Sequence, residues 1–164
     1  MYLLDAPVVT ALRDARAARA DPALVAWAAG LTPQSLFLSA ITLHELEGAA
    51  MQAARKDRAA GAHWRTWLDD HVMRAFDGRI IAVDAAVVRR AAQLDYADPR
   101  DALLAGTALE QGLTLATLRP RSFRLGKVKL LDPSRYVAET RGEDDWRQAA
   151  RATPVWIKSL FVRS

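Results

Sequence analysis

Short apolar runs alternate with longer stretches of helical periodicity along this chain. Tyr2-Leu3-Leu4 is continuous and apolar, which predicts a short buried strand. A helix is expected over 7–19, with Pro7 tolerated in its first turn. Asp21-Pro22 sets a capping residue before a proline and opens a short helix that ends near Gly30. A second strand is expected over 36–40. Helix follows from Thr42 onward, with Leu43, Leu46 and Ala50 on one face. Trp64, Trp67, Leu68 and His71 recur at spacings of three and four, predicting an amphipathic helix over 62–76. After the turn Asp77-Gly78, Ile80-Ile81-Ala82-Val83 predicts a third strand. Asp84 caps a helix reaching about Leu94, and Asp98-Pro99 opens another that ends at Gly112. The last two strands are expected over 113–117 and 128–131.

Strands separated by helices in this rhythm predict an α/β fold. Its three layers are α/β/α, around a central, mostly parallel sheet of four or five strands. The pattern loosens after Pro133. Arg141-Gly142-Glu143-Asp144-Asp145 is a polar break, a helix is expected over 146–151, and 154–162 is apolar and aromatic. The chain therefore divides into a domain over 1–137 and a C-terminal extension over 138–164. The extension is expected to pack on the domain or on a second subunit.

Composition narrows the class. With 164 residues, 51% hydrophobic and 26% charged, the chain suits one folded domain with its own core. It has no cysteine, which excludes disulfides, thiolate metal ligands and a cysteine nucleophile. No basic start leads into an apolar stretch with a cleavage site, and no run is long enough to cross a bilayer. A soluble cytoplasmic protein is expected, with no membrane partner. The net charge of +4 and pI of about 9.8 suit a polyanion such as nucleic acid, although Ala- and Arg-rich composition produces the same balance.

Several chemistries are absent from the sequence. There is no Gly-x-Ser-x-Gly elbow, no Gly-rich phosphate loop and no Gly-x-Gly-x-x-Gly. His44, His63 and His71 lack zinc-helix spacing. Three acids remain: Asp5 at the end of the first strand, Glu45 one turn into a helix, and Asp101 in the first turn of another. In a parallel sheet, strand ends and the helix starts after them meet at one edge. Carboxylates gathered there need a cation, and Mg²⁺ or Mn²⁺ accept such oxygen ligands. Each acid also has a structural reading. Asp5 would cap the helix behind it. Thr42-Leu43-His44-Glu45 matches a capping box. Asp101 would sit third in a helix capped by Asp98, favoured by the helix dipole. Asp98 is the candidate fourth acid. Glu47 lies about 200° around the helix from Glu45 and cannot share its direction. A basic segment, Arg119, Arg121, Arg124, Lys127 and Lys129, is expected as a loop on the sheet edge, contacting a nucleic-acid phosphate backbone near the acids or simply solvated.

Three blocks carry a family resemblance: Tyr2-Leu3-Leu4-Asp5; the stretch from Leu38 through Thr42, Glu45 and Leu46; and the long stretch from Asp101-Ala102-Leu103-Leu104-Ala105 to Leu115-Ala116-Thr117. Over about 1–133 they resemble the PIN domain, and within it the VapC toxins of bacterial VapBC toxin–antitoxin pairs, including FitB-like members. The resemblance implies a Mg²⁺- or Mn²⁺-dependent endoribonuclease that forms a homodimer and is neutralised by a cognate antitoxin. It makes Asp5, Glu45 and Asp101 the metal-binding and catalytic set. The chain departs from the family in three places. Ala6-Pro7 stand where Thr-Asn usually follows the first acid. Arg119 stands where an acid or Asn is common. Ser122 stands where an Asp often precedes the Phe. The alternative reading is a catalytically impaired PIN fold that binds antitoxin or RNA without cutting, with Arg119 neutralising the acids in place of a metal. The helices carrying Trp64 and Trp67 are either an antitoxin groove or plain core.

Overall fold

The apolar runs become five strands: β1 (Tyr2–Leu4), β2 (Leu36–Ser39), β3 (Ile80–Ile81), β4 (Thr114–Ala116) and β5 (Leu130–Leu131). The computed structural model describes residues 1–14 and 21–137. The extension expected over 138–164 and the end of the helix expected over 7–19 lie outside those residues. The strands lie in the order β3-β2-β1-β4-β5, and every pairing is parallel. β1 is central, with Leu4 level with Leu38 on one side and Ala116 on the other. The chain winds outward from β1 through β2 to β3, then crosses back to place β4 on the other side of β1. That reversal opens a crevice beyond the carboxyl ends of β1 and β4.

Alternation along β1 divides the core into two layers. Leu4 faces a cluster with Leu12, Leu24, Trp27, Leu38, Leu46 and Trp67. Leu3 faces a second cluster with Leu104, Ala105, Ala108, Leu115 and Phe123. The first layer is covered by α1 (Ala6–Arg13), α2 (Pro22–Ala29), α3 (Ala40–Lys56) and α4 (Arg58–Trp67). The second is covered by α7 (Pro99–Glu110), against which α6 (Ala85–Ala91) packs. This is the α/β/α arrangement expected from the sequence.

Local boundaries differ from expectation for identifiable reasons. α3 begins at Ala40, not Thr42, because Ser39 caps it by accepting from the Ile41 amide. Thr42 instead donates its hydroxyl to the Leu4 carbonyl at 2.9 Å, tying the helix start to the central strand. The helix expected over 62–76 starts earlier, at Arg58, where Asp57 caps it. It then widens into a π-helical turn over Leu68–Val72 before α5 (Met73–Ala75). Trp67 is fully buried in the core, and the half-buried Trp64 packs beside it, edge to face at 5.3 Å. The Arg13 guanidinium stacks 4.2 Å over Trp64. α6 stops at Ala91, short of Leu94. The basic segment is not an open loop. It folds as a 3-10 helix over Pro120–Gly126, pinned by the fully buried Phe123.

Candidate active site

The backbone of Asp5 continues the sheet, its amide donating to the Ala116 carbonyl at 3.1 Å. Its side chain then turns into the crevice and is wholly buried. One oxygen, Oδ1, accepts from the Val8 amide at 3.0 Å, so Asp5 does cap α1. The other, Oδ2, accepts from the Thr117 hydroxyl at 2.5 Å. Burial pushes the carboxyl up to about 6. The Thr117 and Val8 hydrogen bonds and the Arg119 charge oppose that rise, and Glu45 adds to it. Capping and site placement are therefore one geometry. The cap fixes the carboxylate, and the crevice perturbs it.

Glu45 lies in the second turn of α3, half-buried. With Ser39 as the cap, Glu45 sits too far along the helix to close a capping box, so that reading falls away. Desolvation raises its pKa. Arg119 and Arg100 lower it, while Asp101 and Asp98 raise it. Those opposing influences place Glu45 in the field of residues from the first turn of α7 and from the segment after β4. Glu47 points elsewhere and pairs with Arg65 at 2.6 Å.

Asp101 is the third residue of α7 and only 8% exposed. It receives Arg119 Nη2 on Oδ1 at 3.1 Å. Asp98 caps α7 through the Arg100 amide at 2.9 Å and also pairs with the Arg100 guanidinium. Those hydrogen bonds hold its carboxyl below the usual range. Asp98 thus stands at the margin, its oxygens already engaged.

Arg119 is the pivot of the site. Its amide donates to Thr117 Oγ1 at 2.9 Å, so one hydroxyl links Asp5 to the arginine backbone. Its guanidinium carries charge toward Asp5, Glu45, Asp98 and Asp101 together. Phe123 lies beneath it, 5.7 Å from guanidinium to ring. Tyr96 holds this segment by donating to the Phe123 carbonyl at 2.9 Å, and it packs where Gly126 has no Cβ. Arg121 and Arg124 are exposed on the same 3-10 turn. Thr117, Tyr96 and Arg100 were not singled out as site residues from sequence. A threonine closing a strand beside the acid-bearing strand was the signal available for Thr117.

The donor set is carboxylate oxygen, which suits Mg²⁺ or Mn²⁺ and not a soft metal. As placed, no three His, Asp or Glu side chains among the described residues gather tightly enough to ligate one ion. The cation in contact with Asp101 is Arg119.

Comparison with known proteins bears on the fold and the family. Ribonuclease VapC14 of Mycobacterium tuberculosis is 40% identical over 75 residues, covering 46% of this chain and 70% of that protein. Toxin FitB of Neisseria gonorrhoeae is 31% identical over 142 residues, covering 81% of this chain and 98% of that protein. The solved structure of FitAB bound to an IR36 DNA fragment superposes with a TM-score of 0.72 at 25% identity, covering 87% of this chain and all of that one. The PIN domain family matches residues 2–124, and with the parallel sheet and the acids at its edge the chain belongs to that family.

Proposed function

We propose that this chain is a metal-dependent endoribonuclease, the toxin of a toxin–antitoxin pair, hydrolysing RNA phosphodiester bonds. The observation that carries the reading is that Arg119, bonded to Asp101, also bears its charge on Asp5 and Glu45 at the switch point of the sheet. The names of the relatives VapC14 and FitB support the ribonuclease and the toxin parts of it.

Asp5 and Asp101 are the residues that would hold Mg²⁺ or Mn²⁺. When bound, the ion supplies positive charge to the phosphate and acidifies water for an in-line displacement. The protein's own part is positional. Thr117 and the Val8 amide fix both oxygens of Asp5. Glu45, raised by desolvation, is suited to orient water or take its proton. Arg119, on leaving Asp101, is free to take a phosphate oxygen. Arg121 and Arg124 would meet the RNA backbone nearby.

The expected partners are a cognate antitoxin, the RNA substrate and a second copy of the chain. The FitAB assembly supports the antitoxin. No helix among the described residues is long and apolar enough to span a membrane, and we place the protein in the cytoplasm. A second reading, a PIN domain that binds without cutting, is favoured by the Arg119–Asp101 pair alone. Induction in a bacterial host separates the two. The native chain should arrest growth and degrade RNA, and Asp101→Asn should do neither. Arrest by both chains would overturn the catalytic reading.

A further inference from the structure

A cleft of about 380 Å³ opens beside Glu45, between the outer face of α3 and the first turn of α7. His44, Glu45, Gly48, Ala49 and Gln52 line it from α3, and Arg100 closes its far side. Residues 45, 48, 49 and 52 follow the three- and four-residue spacing of one helix face. The cleft is therefore a continuous shelf leading away from the acids.

Gly48 is the second observation. Glycine weakens a helix interior relative to alanine, so it needs a reason to stand there. Two other helical glycines have one. A Cβ on Gly61 would collide with Ala54, and one on Gly106 would crowd Val87 and Ala91. A Cβ on Gly48 would meet nothing within 4 Å. No packing among the described residues demands this glycine. What it does is keep the floor of the cleft low.

Resting on the ribonuclease reading, we infer that this cleft is a nucleotide subsite that receives one unstacked base of single-stranded RNA next to the cut. Sequence-specific RNA recognition works on unstacked bases, stacked on aromatic or guanidinium planes and bonded along their edges. The shelf carries each part. His44 and Arg100 offer planar faces. Arg100 adds a charge for phosphate. Gln52 offers an amide donor and acceptor side by side, the pair that matches adenine. The base read here is adenine, and Gln52 is the residue that reads it. Arg100 is already aligned by Asp98 and lies in the field of Glu45, which joins the shelf to the acid cluster.

The test uses fluorescein-labelled octamers of uridine, with or without one central adenosine, and follows anisotropy with the full chain in EDTA. The native protein should bind the adenosine octamer about tenfold more tightly, and Gln52→Ala should erase that preference. Gly48→Leu should weaken both octamers without lowering the melting temperature. Gln52→Ala keeps the test decisive if the leucine variant fails to fold. Unchanged affinity and unchanged preference in Gln52→Ala would overturn the subsite. Parallel cleavage of a longer RNA in Mn²⁺ separates this from the parent reading. Native cleavage with identical cut positions in the variants removes the subsite alone. A preference lost on Gln52→Ala, with no cleavage by any chain, keeps the subsite and removes the nuclease.

Discussion

Arg119 Nη2 stands 3.1 Å from Asp101 Oδ1, joining the segment after β4 to the first turn of α7 across the crevice. A guanidinium at 41% exposure is part-solvated, so the pair is worth less than its geometry suggests. It nonetheless sets a cation against Asp101, and a divalent ion bound there would have to compete with it.

Replacing Arg119 by alanine should therefore tighten Mn²⁺ binding, by about threefold to tenfold. The same change should lower stability without metal at neutral pH, because Asp5 and Glu45 lose a charge that favours their ionised forms. Titration calorimetry reads the first effect and urea unfolding in EDTA reads the second. Weaker Mn²⁺ binding in the variant would mean that Arg119 supports the site and does not compete for it.

Asp5 predicts an unusual pH dependence. Its carboxyl rises from 3.8 to about 6 on folding, so the folded state holds a proton that the unfolded state has released. Its contribution to stability is fully present below 3.8 and is lost as pH rises through 6. The loss is on the order of 3 kcal/mol. Asn at position 5 can still accept from Val8 while its amide donates to Thr117. Asp5→Asn should thus be more stable than the native chain at pH 7 without metal, and the difference should vanish near pH 4. Paired urea melts across that range check it. In Mn²⁺ the order at pH 7 should reverse, since binding requires the ionised acid.

The crossing of α3 and α4 depends on Gly61. A Cβ there would fall on Ala54 backbone and side chain alike. Gly61→Ala should cost about 1–3 kcal/mol despite alanine's better helix propensity. Gly48→Ala, in open space, should instead stabilise by about 0.5–1 kcal/mol. Thermal melts of the two variants should move in opposite directions. A rise in both would mean that the helices relax apart without penalty.

The strands were legible in sequence because each is a short apolar run bounded by turn residues. Tyr2-Leu3-Leu4 forms strand over its whole run, whereas of the run expected over 80–83 only Ile80-Ile81 does. The capping positions of Asp21, Asp84 and Asp98 were legible too, since a cap is a local bond. The start of α3 was not. Ser39 and Thr42 are both good caps, and the choice between them was made by the Leu4 carbonyl, which claims the Thr42 hydroxyl from a distant strand. The π-helical turn at Leu68–Val72 carries no local mark. In the site, Asp5, Glu45 and Asp101 could be picked out through the likeness of three blocks to a family. Arg119 was visible as a charge reversal in that pattern, with neutralisation of the acids among its readings. Its pairing with Asp101 is a contact between segments 18 residues apart that only the folded chain fixes.

If Asp5, Glu45 and Asp101 act together on RNA with the help of a divalent ion, cleavage should need both the acids and the ion. The direct measurement is cleavage of an end-labelled RNA by the purified chain in Mn²⁺, in EDTA and with Asp101→Asn. Discrete products are expected with the native chain in Mn²⁺, and at least about a hundredfold less with either EDTA or the variant. Equal cleavage under all three conditions, or none under any, would contradict it.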